Sequence, residues 1–266
     1  NSLTVTGFVG SDTASVTSAL YTYSGKGSTS YAASTTAPSD VGSYTIAPSG
    51  ALLSFTLGSA NNYTLSYVDG TLTISTRAIT VTSVDKSKTY GASDPTLTGF
   101  TITSGSVYST DTFTVTATRA SGENVNTYAI TPSAASFSSG SSSNYTITYA
   151  TGTLTINAKT LTITADNKSI TEGQSSPTFT STVTGFAGSD TATVTSATYT
   201  FPAMSPTSQT PTAAGSYTVT PSAASLNFTS GSSSNYSYSY ANGTYTINSA
   251  SVTVSTIDAS DIRKNQ

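Results

Sequence analysis

One short stretch occurs three times in this chain and constrains the fold more than any other feature. The copies are Asn62–Ile74 (NYTLSYVDGTLTI), Asn144–Ile156 (NYTITYATGTLTI) and Asn235–Ile247 (NYSYSYANGTYTI). An internal repeat is one supersecondary unit used several times, so the fold must be one that strings copies together. In the middle copy Tyr145, Ile147 and Tyr149 alternate with Thr146 and Thr148, and Leu154 and Ile156 resume the alternation. Period two is the pattern of a strand with one face on a core. The halves are joined at Asp69-Gly70, Thr151-Gly152 and Asn242-Gly243. Such pairs predict a tight turn with positive φ, hence a β-hairpin closing each repeat. A lone hairpin is marginally stable, so the rest of each repeat must supply further strands.

Residues 1–18 match 179–196, and in the later copy Leu161-Thr-Ile-Thr precedes the match. The first repeat is therefore expected to lack its opening strand. Tyr44 with Ile46, Tyr128 with Ile130 and Tyr217 with Val219 predict a second buried face. Pro48, Pro132 and Pro221 follow, and are expected to end that strand because proline cannot donate to a ladder. Tyr21–Ser39 and Pro202–Thr212 read as variable loops, the second accounting for a repeat spacing that grows from 82 to 91 residues between Tyr63, Tyr145 and Tyr236. The linkers Ser75–Ala78 and Asn157–Thr160 are too short for free tumbling. These boundaries predict repeats at 1–76, 77–158 and 159–248, with 249–266 as the first strand of a further repeat. That last segment is expected either to belong to a longer array or to act as a donor strand for the next molecule.

Ser and Thr make up about 40% of the residues, and charged residues only 8%. Low hydrophobicity with few aromatics and high net charge would mean disorder. Here 17 Tyr, 9 Phe and a net charge of −3 argue instead for strands whose outer face is threonine. Cys and His are absent, which removes disulfides, thiolate chemistry, Ser-His-Asp arrangements and Zn-His sites. Nine basic against twelve acidic residues leave no stripe for nucleic acid, and no apolar run is long enough for a membrane helix. Glu123 and Glu172 are the only glutamates; both fall in predicted turns, so no catalytic carboxylate pair is expected. Asp12, Asp85, Asp94 and Asp166 are the hard-oxygen candidates for calcium. They form no D-x-D-x-D loop, and the position of Asp85 carries Asn167 in the next repeat, so turn chemistry is the favoured role. Catalytic, cofactor and metal residues are accordingly expected to be none.

Sequons stand at Asn62, Asn144, Asn167, Asn227, Asn235 and Asn242. Three of these are the repeated Asn of the organising stretch, for which a strand-entry role is favoured over a glycan. Most tyrosines occupy inward positions. Tyr21, Tyr23, Tyr31 and Tyr108 stand outside the pattern and are the candidates for a sugar-stacking patch. Lys86 and Lys168 show no convincing partner for an isopeptide bond.

The second repeat carries Lys88-Thr-Tyr-Gly-Ala-Ser-Asp-Pro-Thr-Leu-Thr, then Ser121-Gly-Glu-Asn-Val-Asn-Thr-Tyr-Ala-Ile, then the closing stretch. That order resembles the MBG-type domain, an Ig-like β repeat of large bacterial surface proteins and adhesins. The third repeat departs from it where Thr171-Glu172-Gly173 replaces Thr-Tyr-Gly. The resemblance implies an all-β chain of tandem Ig-like antiparallel sandwiches set end to end as a rod, with a stalk or spacer role at a bacterial cell surface and no enzyme activity. The partners expected are neighbouring repeats. The alternatives are a self-assembling filament or sheath subunit that donates 249–266 head to tail, and a glycan-binding module acting through the variable loops.

Overall fold

The computed structural model describes residues 2–256; the rest of the predicted further strand, 257–266, lies outside the described residues. The described chain is built of strands, with three single-turn 3-10 helices and no α-helix. The first repeat contributes β1 (Thr13–Gly25), β2 (Gly42–Leu57) and β3 (Gly70–Ile74). The second contributes β4 (Arg77–Ser83), β5 (Lys86–Thr89), β6 (Phe100–Ser104), β7 (Thr112–Arg119), β8 (Asn126–Ser139), β9 (Tyr145–Ala150) and β10 (Gly152–Asn157). The third contributes β11 (Lys159–Ala165), β12 (Lys168–Thr171), β13 (Ser181–Thr184), β14 (Thr191–Thr200), β15 (Gly215–Ser230), β16 (Tyr236–Ala241) and β17 (Gly243–Asn248). Contacts gather these into two compact units. One holds the chain up to Val84 with Leu97–Thr118 and Ile130–Gly152; the other holds Asp85–Thr96, Arg119–Ala129 and the chain from Thr153.

The second unit contains the whole third repeat. Its sheets run β13-β11-β16 and β12-β17-β15-β14. Alternation decides the faces: Leu161, Ile163 and Ala165 of β11 are buried, while Thr162 and Thr164 lie between them on the outer side. Leu161 packs with Tyr236, Phe186, Leu226 and Phe228, which brings β15 against the β11 sheet. A second cluster holds Phe201, Val219, Tyr245 and Ile247 with Ile170, Phe179 and Tyr199 around them. Hydroxyls pair across the outer face, Thr160 with Ser237 at 3.1 Å and Thr162 with Ser239 at 3.2 Å. Cross-strand pairs of this kind are how a threonine-rich sheet gains stability without apolar bulk.

In the first unit β4 lies between β6 and β9. Ile79, Val81 and Tyr145 are buried there under Phe100, Phe113 and Phe137. The rings of Phe100, Phe113, Phe137 and Tyr145 stack in series at 4.8, 4.9 and 5.3 Å. The first repeat forms the sheet β1-β2-β3. Among the described residues nothing pairs with Tyr63–Asp69, the segment aligned with β9 and β16.

Four sequence expectations need correction. The repeated stretch is not a hairpin, because β16 and β17 belong to different sheets. The residue between them is a crossing point, and its glycine serves close approach rather than positive φ. A Cβ on Gly243 would collide with the carbonyl of Ala165, and one on Gly152 with that of Ser83. The sheets are also not purely antiparallel. The opening strand of the third repeat is split into β11 and β12, which pair in parallel with β16 and β17, and β4 pairs in parallel with β9. A strand that changes sheet part way must lie beside a closing strand that does the same. Pro48, Pro132 and Pro221 do not end their strands; β2, β8 and β15 continue to Leu57, Ser139 and Ser230. The ladder of β15 with β17 stops at Val219, so at Pro221 the strand has one partner and a missing N–H is tolerated. Tyr21–Ser39 is likewise only partly loop, since β1 runs on to Gly25.

Gly243→Ala is expected to destabilise by about 2–3 kcal/mol, because the new methyl forces the backbone of Ala165 away. Gly70→Ala, at the aligned position, meets only Ile46 at 3.8 Å and is expected to be neutral or to stabilise by about 0.5 kcal/mol. Urea denaturation of the two variants checks the contrast; equal losses would mean that both glycines serve backbone conformation.

Candidate functional site

Each repeat places the sequence Gly-Ser-x-x-Asn-Tyr at one end: Gly58–Tyr63, Gly140–Tyr145 and Gly231–Tyr236. The serine caps a 3-10 turn; Ser141 and Ser232 accept from the N–H groups of Ser143 and Ser234 at 3.3 and 3.4 Å. The turn sends the tyrosine inward. The Tyr145 hydroxyl donates to Asp111 at 2.6 Å and accepts from the Tyr108 N–H at 2.9 Å. Tyr236 repeats this with Asp190 and the Ala187 N–H, and Tyr63 with Asp12 and the Val9 N–H. The glycine makes room: Gly140 and Gly231 sit at φ 80° and 84°, and the carboxylates of Asp111 and Asp190 fill the space where a Cβ would be. Burial and the neighbouring carboxylate push the Tyr236 hydroxyl up to about 12, and raise Tyr145 for the same two reasons.

The asparagine turns the other way, onto the preceding repeat. Asn144 accepts from the Val41 N–H at 2.8 Å and donates to the Asp40 carboxylate at 2.8 Å. Asn235, only 1% exposed, accepts from the Val125 N–H at 2.9 Å and donates to the Asn124 side chain at 3.0 Å. The segments they grip are braced from behind. Tyr44 donates to the carbonyl of Asp40 and Tyr128 to that of Asn124, at 2.7 and 2.9 Å. At the second junction Tyr90 adds a ring contact with Tyr236 at 5.4 Å and a hydrogen bond to Asp190 at 2.9 Å. Gly91, at φ 78°, leaves no room for a Cβ beside Ala187. The two junctions thus share one device: an amide side chain reads a backbone N–H of the repeat before it.

The sequence reading missed a second cluster. Lys88 is buried on β5, beside Ile156, and its Nζ donates to Asp94 at 2.7 Å and to Glu123. Arg119 pairs with the same two carboxylates, to Asp94 at 2.6 Å, and its guanidinium lies 5.8 Å from the Tyr128 ring centre. Hydrogen bonds from Arg119 and Lys88 hold Asp94 below the ordinary carboxylate range; those from Lys88 and Arg119 do the same for Glu123. On Lys88 burial acts to lower the pKa, but the two acids outweigh it and the pKa is raised. A charged amine beside ionised acids is the opposite of what isopeptide formation needs, so the cluster is an ionic clasp on the Thr89-Tyr90-Gly91 turn. The available signal was that Lys88 aligns with Ile170, an inward position.

The remaining candidates have individual roles. Asp85 and Asn167 both accept from the N–H that follows the crossing glycine, of Thr153 at 2.7 Å and Thr244 at 2.8 Å, which explains why Asp and Asn interchange there. Asp166 accepts from the Thr180 hydroxyl. Glu172 lies in the turn after β12, apart from Glu123 in the β7–β8 loop. Among the described residues no three acidic side chains converge. Asn62, Asn167, Asn227 and Asn242 are exposed, whereas Asn144 and Asn235 are taken up at the junctions. Of the tyrosines, Tyr31 packs edge-on against Tyr44, Tyr21 lines a cleft in the first repeat, Tyr23 bridges to Ser34, and Tyr108 is 60% exposed. They do not form one patch. Lys86 and Lys168 occupy aligned places on β5 and β12.

The family profile described as MBG domain (YGX type) matches residues 1–73, 79–155 and 161–246. Tyr90-Gly91 falls in the second of these matches. No curated protein matches the chain.

Asn235→Ala is expected to cost about 2 kcal/mol by stranding the Val125 N–H, while Asn62→Ala, at an exposed position, should be neutral. Chemical denaturation checks both. The tyrosines set an alkaline limit. Unfolded tyrosine ionises near pH 10 and folded Tyr236 near 12, so stability is complete below about 10 and falls as pH rises toward 12. In Tyr236→Phe that fall should be shallower. The carboxylates set an acid limit. Asp94 and Glu123 are depressed, so their contribution is present above about pH 4 and is lost as pH falls through their folded values. Lys88→Ile should flatten this acid limb and cost about 1 kcal/mol near neutral pH, the exposure of both acids keeping it small. An unchanged acid limb would place the titration elsewhere.

Proposed function

The chain belongs to the MBG domain family of the YGX type, and from that premise we propose that it is a mechanical spacer: tandem repeats that hold neighbours at a fixed setting and project another part of a bacterial surface protein outward. Domains of this family are structural repeats that occur in bacterial surface proteins. The reading divides the chain at 1–76, 77–158 and 159–248, takes each repeat as an Ig-like sandwich, sets the repeats end to end and places them outside the cell. No residue is given a catalytic, cofactor or metal role.

The observation that carries it is the use of the same asparagine at both junctions. Asn144 and Asn235 each turn both the amide oxygen and the amide nitrogen to the preceding repeat, at a loop braced by a tyrosine. A flexible tether would need none of this. The linkers leave no slack, since β3 ends at Ile74 and β4 begins at Arg77, and β10 ends at Asn157 and β11 begins at Lys159.

Small-angle scattering of the intact chain and of the double variant Asn144→Ala, Asn235→Ala is the test. The expected result is a narrow distribution of dimensions for the parent and a broad one for the variant, with strand content unchanged by circular dichroism. A parent as broadly distributed as the variant would sink the spacer reading.

A further inference from the structure

The third repeat lies whole within one compact unit, and its opening and closing strands run the same way. β11 pairs in parallel with β16, from Lys159 opposite Tyr236 to Thr164 opposite Ala241. β12 pairs in parallel with β17, from Lys168 opposite Tyr245 to Thr171 opposite Asn248. The chain enters these strands at Lys159, the first residue of β11, and leaves them at Asn248, the last of β17. Entry is thus at the start of one parallel ladder and exit at the end of the other. A pull on those two points draws β11 and β12 backward along β16 and β17.

The direction of load decides how hydrogen bonds fail. The bonds of a parallel ladder are evenly spaced and cross between the strands. Force along the strands therefore loads all of them at once. Force that opens an antiparallel hairpin from its free ends loads one pair at a time. Each bond contributes only about 1 kcal/mol net, so the number that must break together sets the resistance.

Side chains reinforce the same ladders. Thr160 with Ser237 and Thr162 with Ser239 join β11 to β16, and the Ser239 hydroxyl also donates to the Leu161 carbonyl at 3.2 Å. Leu161 and Ile163 are fully buried, so sliding β11 drags both out of the core. The exit residue is held as well. The Asn248 carbonyl accepts from the Glu172 N–H at 2.8 Å, and its side-chain amide donates to the Ile170 carbonyl at 3.2 Å. The second repeat has the same parts. β4 runs parallel to β9 within one unit, and β5 runs parallel to Leu154–Asn157 of β10 within the other. The carbonyl of Asn157, where β10 ends, accepts from the Tyr90 N–H at 2.8 Å. The turns Thr89-Tyr90-Gly91 and Thr171-Glu172-Gly173 thus tie down the residue at which tension leaves.

We propose that these two repeats are shear clamps: tension applied through the chain is borne by the parallel ladders between opening and closing strands, so the protein carries tensile load as well as setting a distance. The spacer reading requires stiff junctions only. Load bearing is a property of the strands inside each repeat, and neither entails the other.

Single-molecule force spectroscopy of the full chain is the test. The chain has no cysteine, so two introduced ones define the axis of pull. Ala158→Cys with Ser249→Cys loads the third repeat at entry and exit. Ser189→Cys with Ser233→Cys opens the β14–β15 pairing from its free ends, at Thr191 and Ser230. All four sites are exposed. The first pull is expected to release about 30 nm of chain and the second about 15 nm, at roughly 3.4 Å per residue. The first should need at least about twice the force of the second, because its ladders break together. Thr162→Val with Ser239→Ala removes a hydroxyl pair between β11 and β16, and is expected to lower the force of the first pull and leave the second unchanged. Equal forces on the two axes, or a lower force on the first, would overturn the proposal, as would an equal loss on both axes in the variant. Scattering from the Asn144→Ala, Asn235→Ala variant reads the junctions alone, so failure of the spacer reading and failure of the clamp are told apart.

Discussion

The hydrogen bond from a tyrosine hydroxyl to a half-buried carboxylate, Tyr145 to Asp111 and Tyr236 to Asp190, is the contact on which the ends of the repeats depend. It fixes three things together. It anchors β9 and β16 at their first residue, and it satisfies a carboxylate that would otherwise be costly beside a core. It also orients the 3-10 turn whose last residue is the junction asparagine. Because Asn and Tyr are adjacent in the chain, the inward grip of one sets the outward reach of the other. The glycine at φ near 80° is what lets the carboxylate in, so a motif that reads as a flexible Gly-Ser loop is closely packed.

The lysine cluster and its counterpart show two solutions to one packing problem. In the second repeat the position on β5 carries Lys88, neutralised by Asp94 and Glu123 with Arg119 completing a balanced quartet. In the third repeat the same position is Ile170, set among Phe179, Tyr199, Phe201 and Tyr245. A buried ion pair and a hydrophobic filling of similar size are close in free energy, because the desolvation of the charges offsets their attraction. What differs is the turn beyond. Lys88 precedes Thr89-Tyr90-Gly91, which supplies Tyr90 to the junction; Ile170 precedes Thr171-Glu172-Gly173, which has no ring to offer. The ionic version thus goes with the copy whose turn serves a neighbour.

Much of this was legible in the sequence because period-two alternation reports burial directly. Leu154 and Ile156 continue the alternation of the repeated stretch, and both are buried. The errors lay where a residue has two physical uses. Glycine in Asn-Gly permits positive φ, but Gly243 is there for the absence of a Cβ, and no one-dimensional signal separates the two. Proline removes a donor, but the loss matters only where a second strand is present, and that depends on how far β17 extends along β15. Alternation also cannot say which strand is the neighbour, so it carries no sign of the parallel pairing of opening and closing strands. The junction asparagines were recognisable as repeated, but their partners lie 103 and 110 residues earlier in the chain.

The same logic explains why so polar a chain can be ordered. With an apolar share of only 35%, the aliphatic core residues are supplemented by rings, as in the series Phe100, Phe113, Phe137 and Tyr145. Rings bury much surface for little conformational entropy. The tyrosines add a polar end that finishes backbone accounts at awkward places. Tyr67, Tyr149 and Tyr240 accept from the N–H groups of Ala51, Ala135 and Ala224, each next to a residue of positive φ: Gly50, Ala134 and Ala223. These three rings are exposed at 37–41%, so their value lies in the hydroxyl. A tyrosine that caps a strained turn is worth keeping even where its ring is wet. That requirement accounts for the alternation continuing past the point where the core can use it.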